Sequence, residues 1–288
     1  MRHLELFAGI GGFRRAMDLL TQDHIMDFHC IGYSEIDAKA VKTYCANYHP
    51  EVDGELAMGD IVEFTSNKGN INNLPQFDLV TGGFPCQTFS MMGKQAGFNE
   101  DRGQMFFHII DILAAKMPRY VLLENVKNLK SHDKGRTFAR IKQELEALGY
   151  QVFTDIFNTA QFHLPQTRNR LLIFATTEPV PADFEVQFTC DNIAVLFDQV
   201  YQDLGTYHYQ SVNDILSLEV EKKYFLSEKI KPTLLADGSA NFKSKSDINM
   251  SIARPLTATM HKMHRACQDN YYSQDFIESH GAINPVKT

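Results

Sequence analysis

The residues best placed for chemistry surround one cysteine, Cys86, in the run Gly82-Gly83-Phe84-Pro85-Cys86-Gln87-Thr88-Phe89-Ser90. The apolar stretch Asp78 to Thr81 predicts a short buried strand that feeds this run. Pro85 lacks a backbone donor and disfavours helix at Phe84, so Cys86 is expected on a bent, extended loop, as a nucleophile would be presented. A lone cysteine is more often a small buried hydrophobe. Three other segments change that balance: Glu124-Asn125-Val126, Gln166-Thr167-Arg168-Asn169-Arg170 and Phe7-Ala8-Gly9-Ile10-Gly11-Gly12. Each carries a group that a thiol attacking a heterocycle would need.

Suppose the target is the six-membered ring of cytosine: a thiolate adding to carbon 6 would turn carbon 5 into an enamine carbon, and Cys86 is the candidate for that addition. Negative charge then develops toward N3, where a protonated Glu124 would stabilise it. Arg168 and Arg170 can hold the ring carbonyl, a phosphate or Glu124 itself, or can form a surface pair on a strand edge. A ring stacked in a duplex is out of reach of these groups, so the base must be swung out.

These groups need a scaffold, and the sequence predicts one. Leu4 to Ala8 reads as a strand, the glycines as a tight turn, and Phe13, Ala16, Met17 and Leu20 as an amphipathic helix. Arg14 stands where the third glycine of a dinucleotide fingerprint would be, so the turn alone fits a plain βα connection equally well. The next strand, Cys30 to Tyr33, leads to Glu35, a candidate for the ribose hydroxyls, and to Asp37, a helix N-cap for a helix through Tyr48. Asp60 follows another short segment; it would meet an adenine amino group or close a turn. Further on, Met92 to Gly103 reads as a mobile lid, and helices are predicted over 104–117 and 135–148. Strands are predicted over 120–123, 152–157 and 171–175. Alternating strands and helices over 1–176 indicate a parallel or mostly parallel sheet with helices on both sides.

Five widely spaced cysteines with no C-x-x-C argue against a disulfide framework and a thiolate metal site, and His261-x-x-His264-x-x-Cys267 is a poor metal case. A formal charge of −7 means that any binding to nucleic acid must come from a local basic face. No run approaches a membrane span and the N-terminus has no signal-peptide pattern, so a cytoplasmic protein is expected. Beyond Glu178 the alternation gives way to prolines, aromatics, short apolar pieces and scattered lysines, which marks a second domain, either DNA-facing or merely solvated.

Taken in order, these segments resemble the motif series of the DNA (cytosine-5-)-methyltransferases, especially bacterial restriction-modification enzymes. The match runs through Phe7-Ala8-Gly9-x-Gly11-Gly12, Glu35, Gly59-Asp60-Ile61, Gly83-Phe84-Pro85-Cys86-Gln87-x-Phe89-Ser90, Glu124-Asn125-Val126 and Gln166-x-Arg168-x-Arg170. The resemblance implies an α/β, Rossmann-like S-adenosylmethionine-dependent methyltransferase fold with a mostly parallel sheet over 1–177. It also implies a smaller target-recognition domain over 178–288, which Arg254-Pro255-Leu256-Thr257 would organise. It assigns catalysis to Cys86, Glu124, Arg168 and Arg170. S-adenosylmethionine would lie against Phe7, Gly9, Ile10, Gly11, Gly12, Glu35, Ile36, Asp60, Ile61 and Pro85. DNA would meet Gln87, Ser90, Arg102 and Arg254. The family's Arg-Leu-Gln-Gly-Phe-like run and later Gly-Asn-Ser are missing from the sequence. Beside duplex DNA, a second polypeptide is therefore expected to supply that segment, unless the chain is truncated or does without it. A tRNA methyltransferase of the same superfamily and a non-catalytic DNA-binding relative are the competing readings.

Overall fold

The computed structural model describes residues 1–85, 105–204, 209, 211–236, 246–256 and 267–281. The chain divides into two compact units, one of Met1–Ile156 with Arg170–Ile193 and the other of Phe157–Asn169 with Ala194–Thr288. This division differs from a cut at 177/178, and aromatic packing explains part of the difference. Phe184 and Phe188 lie against Phe174, with ring centroids 5.8 and 5.6 Å away, and Phe184 meets Phe153 edge-on at 4.7 Å. These contacts fasten the 184–188 stretch to the first unit.

The strands are β1 (Arg2–Leu6), β2 (His29–Ser34), β3 (Leu56–Ala57), β4 (Leu79–Gly82), β5 (Tyr120–Val126), β6 (Gln151–Asn158) and β7 (Asn169–Thr176). They form one sheet in the order β3-β2-β1-β4-β5-β7-β6. β1 to β5 pair in parallel, whereas β7 runs antiparallel to β5. The sheet is therefore mostly parallel, as expected. The helices used below are α1 (Gly12–Gln22), α2 (Ala38–Tyr48), α3 (Ile61–Ser66), α4 (Met105–Lys116), α5 (Arg136–Ala147) and α6 (Cys190–Leu204).

Alternation along β1 divides its two faces. Leu4 and Leu6 join the main core, with Val80, Val121, Leu123, Leu171 and Ile173 from the neighbouring strands. Two helices cover that face: α4 brings Phe106, Ile109, Ile112 and Leu113, and α5 brings Ile141 and Leu145. Each buried aliphatic side chain contributes roughly 1.5–3 kcal/mol, against about 0–1 kcal/mol for an exposed ion pair, so this layer dominates stability. The opposite face of β1 carries His3 and Glu5 and belongs with α1 and α2. There Tyr33 and Tyr44 stack at 4.3 Å. Asp37 caps α2 by accepting from the N–H groups of Lys39 and Ala40, as its place before the helix predicts.

The second unit contains a helix that the sequence pattern does not predict: α6 begins in the first unit and continues into the second. Within the second unit His163 Nε2 lies 2.6 Å from Asp198 Oδ1, and Phe162 meets Phe197 edge-on at 5.4 Å. Among the described residues an isolated parallel bridge joins Gln166 to Ala253.

Candidate active site

The sequence-predicted groups of the first unit gather at the carboxyl ends of its parallel strands, the edge where open α/β sheets bind ligands. After β1 the backbone turns through three left-handed residues, Phe7 (φ 54°), Gly9 (φ 57°) and Gly11 (φ 89°). Gly11 has a second constraint, because a Cβ there would lie 2.2 Å from the Tyr48 ring. The Tyr48 hydroxyl also donates to the Gly11 carbonyl at 2.7 Å, pinning the turn against α2. A hollow of about 530 Å³ opens beside it, lined by Ile10, Gly11, Gly12, Arg15, Asn47 and Tyr48; Glu35 and Asp60 are not among its walls.

Glu35, just past β2, is held by three backbone donors. Its Oε2 accepts from Gly9 N–H at 2.7 Å, and its Oε1 accepts from Ile36 and Asp37 N–H, each at 2.8 Å. A carboxylate has about four acceptor positions, so one stays open, and taking both hydroxyls of a ribose would displace one of these donors. Asp60 is the N-cap of α3, with Oδ1 accepting from Val62 N–H at 2.8 Å. Ile61 is buried in the core, whereas Ile10 and Ile36 are exposed.

At the end of β5, Glu124 Oε1 lies 2.5 Å from Arg170 Nε, and the two side chains are 25% and 24% exposed. The antiparallel register of β5 and β7 brings them together, since it pairs Glu124 with Leu172 and Val126 with Arg170. Gly83 closes in from β4: a Cβ on it would be 3.2 Å from Glu124 Oε2. The buried Asn125 Nδ2 donates to the Phe84 carbonyl at 2.8 Å, tying the end of β5 to the turn that leads into Cys86. A carboxylate, a guanidinium and the residues just before Cys86 thus share one edge.

Cys86, Gln87, Ser90 and Arg102, the 92–103 lid, His261 and His264 lie outside the described residues. Arg168 belongs to the second unit, where its backbone N–H donates to Thr159 Oγ1 at 3.1 Å. Arg254 is engaged within that unit. Its Nη2 pairs with Asp247 Oδ2 at 2.9 Å, its N–H donates to Asn270 Oδ1 at 2.7 Å, and Asn270 Nδ2 donates back to its carbonyl at 2.9 Å.

Comparison with known proteins identifies the family. The family model described as C-5 cytosine-specific DNA methylase matches residues 1–286. The chain belongs to this family. It is 37% identical over 227 residues to the type II methyltransferase M.NlaX of Neisseria lactamica, covering 79% of the chain and 63% of the relative. It is 33% identical over 242 residues to the orphan methyltransferase M.Rho11sI of Bacillus phage rho11s, covering 80% of the chain and 46% of that protein. The chain spans about half the length of the curated relatives it matches. In fold it is similar to the S. pombe Dnmt2 methyltransferase, with a TM-score of 0.67 at 19% identity, over 93% of the chain and 74% of that structure.

Within this family member, sequence reasoning passes over Glu5, although a carboxylate between two leucines in a buried strand is itself a signal. Glu5 is fully buried and its Oε1 accepts from the Arg14 N–H, at the start of α1, at 3.3 Å. Burial pushes its carboxyl up to about 7, against the opposing pull of the Arg14 and Phe13 N–H groups and the Arg14 charge. His3, two residues earlier, is driven down to about 3 by burial and by Arg14, and its Nε2 lies 2.7 Å from Thr81 Oγ1. The two act in opposite directions. Folded Glu5 keeps a proton that the unfolded chain releases above about pH 4.5, so stability is lost as pH rises toward 7. Folded His3 refuses a proton that the unfolded chain takes below about 6.5, so stability is lost as pH falls from there. Between those values the two slopes oppose. Glu5→Gln keeps the acceptor for Arg14 and removes only the first slope. Its stability gain over wild type should grow from under about 1 kcal/mol at pH 5 to about 3 kcal/mol at pH 8, read from urea midpoints. A gain that does not change with pH would show that Glu5 is not held protonated.

Proposed function

We propose that this chain transfers a methyl group from S-adenosylmethionine to carbon 5 of a flipped-out cytosine in a specific duplex DNA sequence, within a cytoplasmic restriction-modification system. The observation that carries the proposal is the Glu124–Arg170 pair beside Gly83, with Asn125 anchoring the turn into Cys86.

The residues divide the work. Cys86 adds through sulfur to carbon 6, while Glu124 gives a proton or hydrogen bond at N3 and Arg170 holds Glu124 in place. Arg168 is assigned to catalysis on the motif resemblance alone. S-adenosylmethionine, when bound, supplies an electrophilic methyl group. The donor set fits it: Glu35 for the ribose, Asp60 for the adenine amino group, Phe7 for stacking, and the left-handed turn of Gly9 and Gly11 for close backbone approach. Ile10, Gly12, Ile36, Ile61 and Pro85 complete its walls. Once carbon 5 carries the methyl group, its proton leaves to a base and the carbon–sulfur bond breaks, which restores the aromatic ring and the thiolate.

The second unit is proposed as the target reader, with Arg254 organising it. Gln87, Ser90 and Arg102 would face the DNA. A second polypeptide that supplies the family's further C-terminal segment is proposed as a further partner.

The test offers labelled S-adenosylmethionine with mixed-sequence duplex DNA and, separately, with tRNA. Label at carbon 5 of cytosine in the duplex is expected. Label in tRNA alone would transfer the assignment to the RNA reading, and label in neither, even with co-encoded small proteins added, would leave a binding role.

A further inference from the structure

Against a formal charge of −7 for the whole chain, the segment from Lys127 to Arg140 carries Lys127, Lys130, Lys134, Arg136 and Arg140 with Asp133 as its sole acid. That acid is taken: Arg136 Nε binds Asp133 Oδ2 at 2.9 Å. Arg140 is taken as well, by Glu144 at 2.5 Å. Lys127, Lys130 and Lys134 are exposed, and none of them has a carboxylate within ion-pair distance among the described residues. Their backbone is fixed. The 3-10 turn Lys127–Lys130 starts where β5 ends and is anchored by the fully buried Leu129, and His132 Nδ1 lies 2.7 Å from the buried Thr137 Oγ1. Lys127 follows Glu124 by three residues, about 10 Å of extended chain, so the patch continues from the candidate active edge within the same unit.

We propose that Lys127, Lys130 and Lys134 form a phosphate-contacting surface that seats the duplex backbone beside the cytosine pocket. This rests on the methyl-transfer reading above. A solvated lysine face would ordinarily be diluted by acids at helical spacing, whereas here the nearby acids are neutralised by arginines. Lysines suit this role because a phosphate backbone asks for point charges rather than for base recognition.

The test measures binding of a fluorescent mixed-sequence duplex by the full chain across a salt series, for wild type, K127Q/K130Q/K134Q and the control K42Q/K68Q. Removing one lysine–phosphate pairing flattens the slope of log affinity against log salt by about 0.9. The triple variant should therefore show a slope shallower by about 2–3. A rise from 50 to 200 mM salt would then cost it about 40-fold less affinity than it costs wild type if all three lysines meet phosphates. The control should keep the wild-type slope, and S-adenosylmethionine binding should be unchanged throughout. A triple variant with the wild-type slope, or a wild type that binds no duplex, would overturn the surface. A flattened slope in a chain that transfers no methyl group would leave the surface standing and remove the methyl-transfer reading.

Discussion

Replacing Cys86 with serine is expected to lower kcat for methyl transfer by at least about 10³-fold while leaving cofactor and duplex binding within a few-fold of wild type. A thiol with a pKa near about 8.5 supplies some thiolate at neutral pH, whereas an alcohol must lose its proton during attack and is the weaker nucleophile toward an aromatic ring carbon. The residues that lead into Cys86 are held by their own backbone. β4 is paired on both sides, with β1 and β5, and Asn125 holds the Phe84 carbonyl. The substitution should therefore act on chemistry and spare the fold. Single-turnover rates at saturating S-adenosylmethionine check it, and a serine variant within tenfold of wild type would remove Cys86 from the mechanism.

Glu124→Gln should lower the same rate by about 10²–10⁴-fold, the range for loss of a positioned proton donor, with the melting temperature nearly unchanged. The side chains of the Glu124–Arg170 pair are about a quarter exposed, so its net contribution to stability is small, of the order of 1 kcal/mol. Arg170→Met removes the group that fixes Glu124 and should cost about 10²–10³-fold. A double variant should lose less than the product of the two single losses, because both act through one pairing. If activity and melting temperature instead fell in parallel, the pair would be a structural brace.

Local patterns carry the parts of this arrangement that local physics determines. The strand–glycine–helix opening, Asp37 as a cap, the α4 stripe of Phe106, Ile109 and Leu113 and the stop at Pro118 all depend on neighbours within a turn or two. Glu124 and Arg170 can be singled out as chemistry-bearing types, but their contact follows from the antiparallel return of β7, a pairing between residues far apart in sequence. The same holds for Asn125 with Phe84, for Gly83 behind Glu124 and for Tyr48 against Gly11, none of which leaves a periodic trace. The 184–204 region reads as irregular because its aromatics pack on a distant strand, and α6 begins amid that packing. Glu5 escapes notice because a carboxylate in a strand is ordinarily assigned to solvent, and only burial on both sides of β1 shows otherwise.

The most direct measurement of the central claim incubates the full chain, S-adenosylmethionine and a duplex in which cytosine is replaced by 5-fluorocytosine. Fluorine at carbon 5 cannot leave as a proton, so the final elimination is blocked and the adduct should persist through denaturation. Mass spectrometry of the digested complex should find a methylated fluorocytosine attached to the peptide that carries Cys86, and none in Cys86→Ser. Methyl transfer to ordinary duplex without a trapped adduct, or an adduct on Cys30, Cys45, Cys190 or Cys267, would contradict the account.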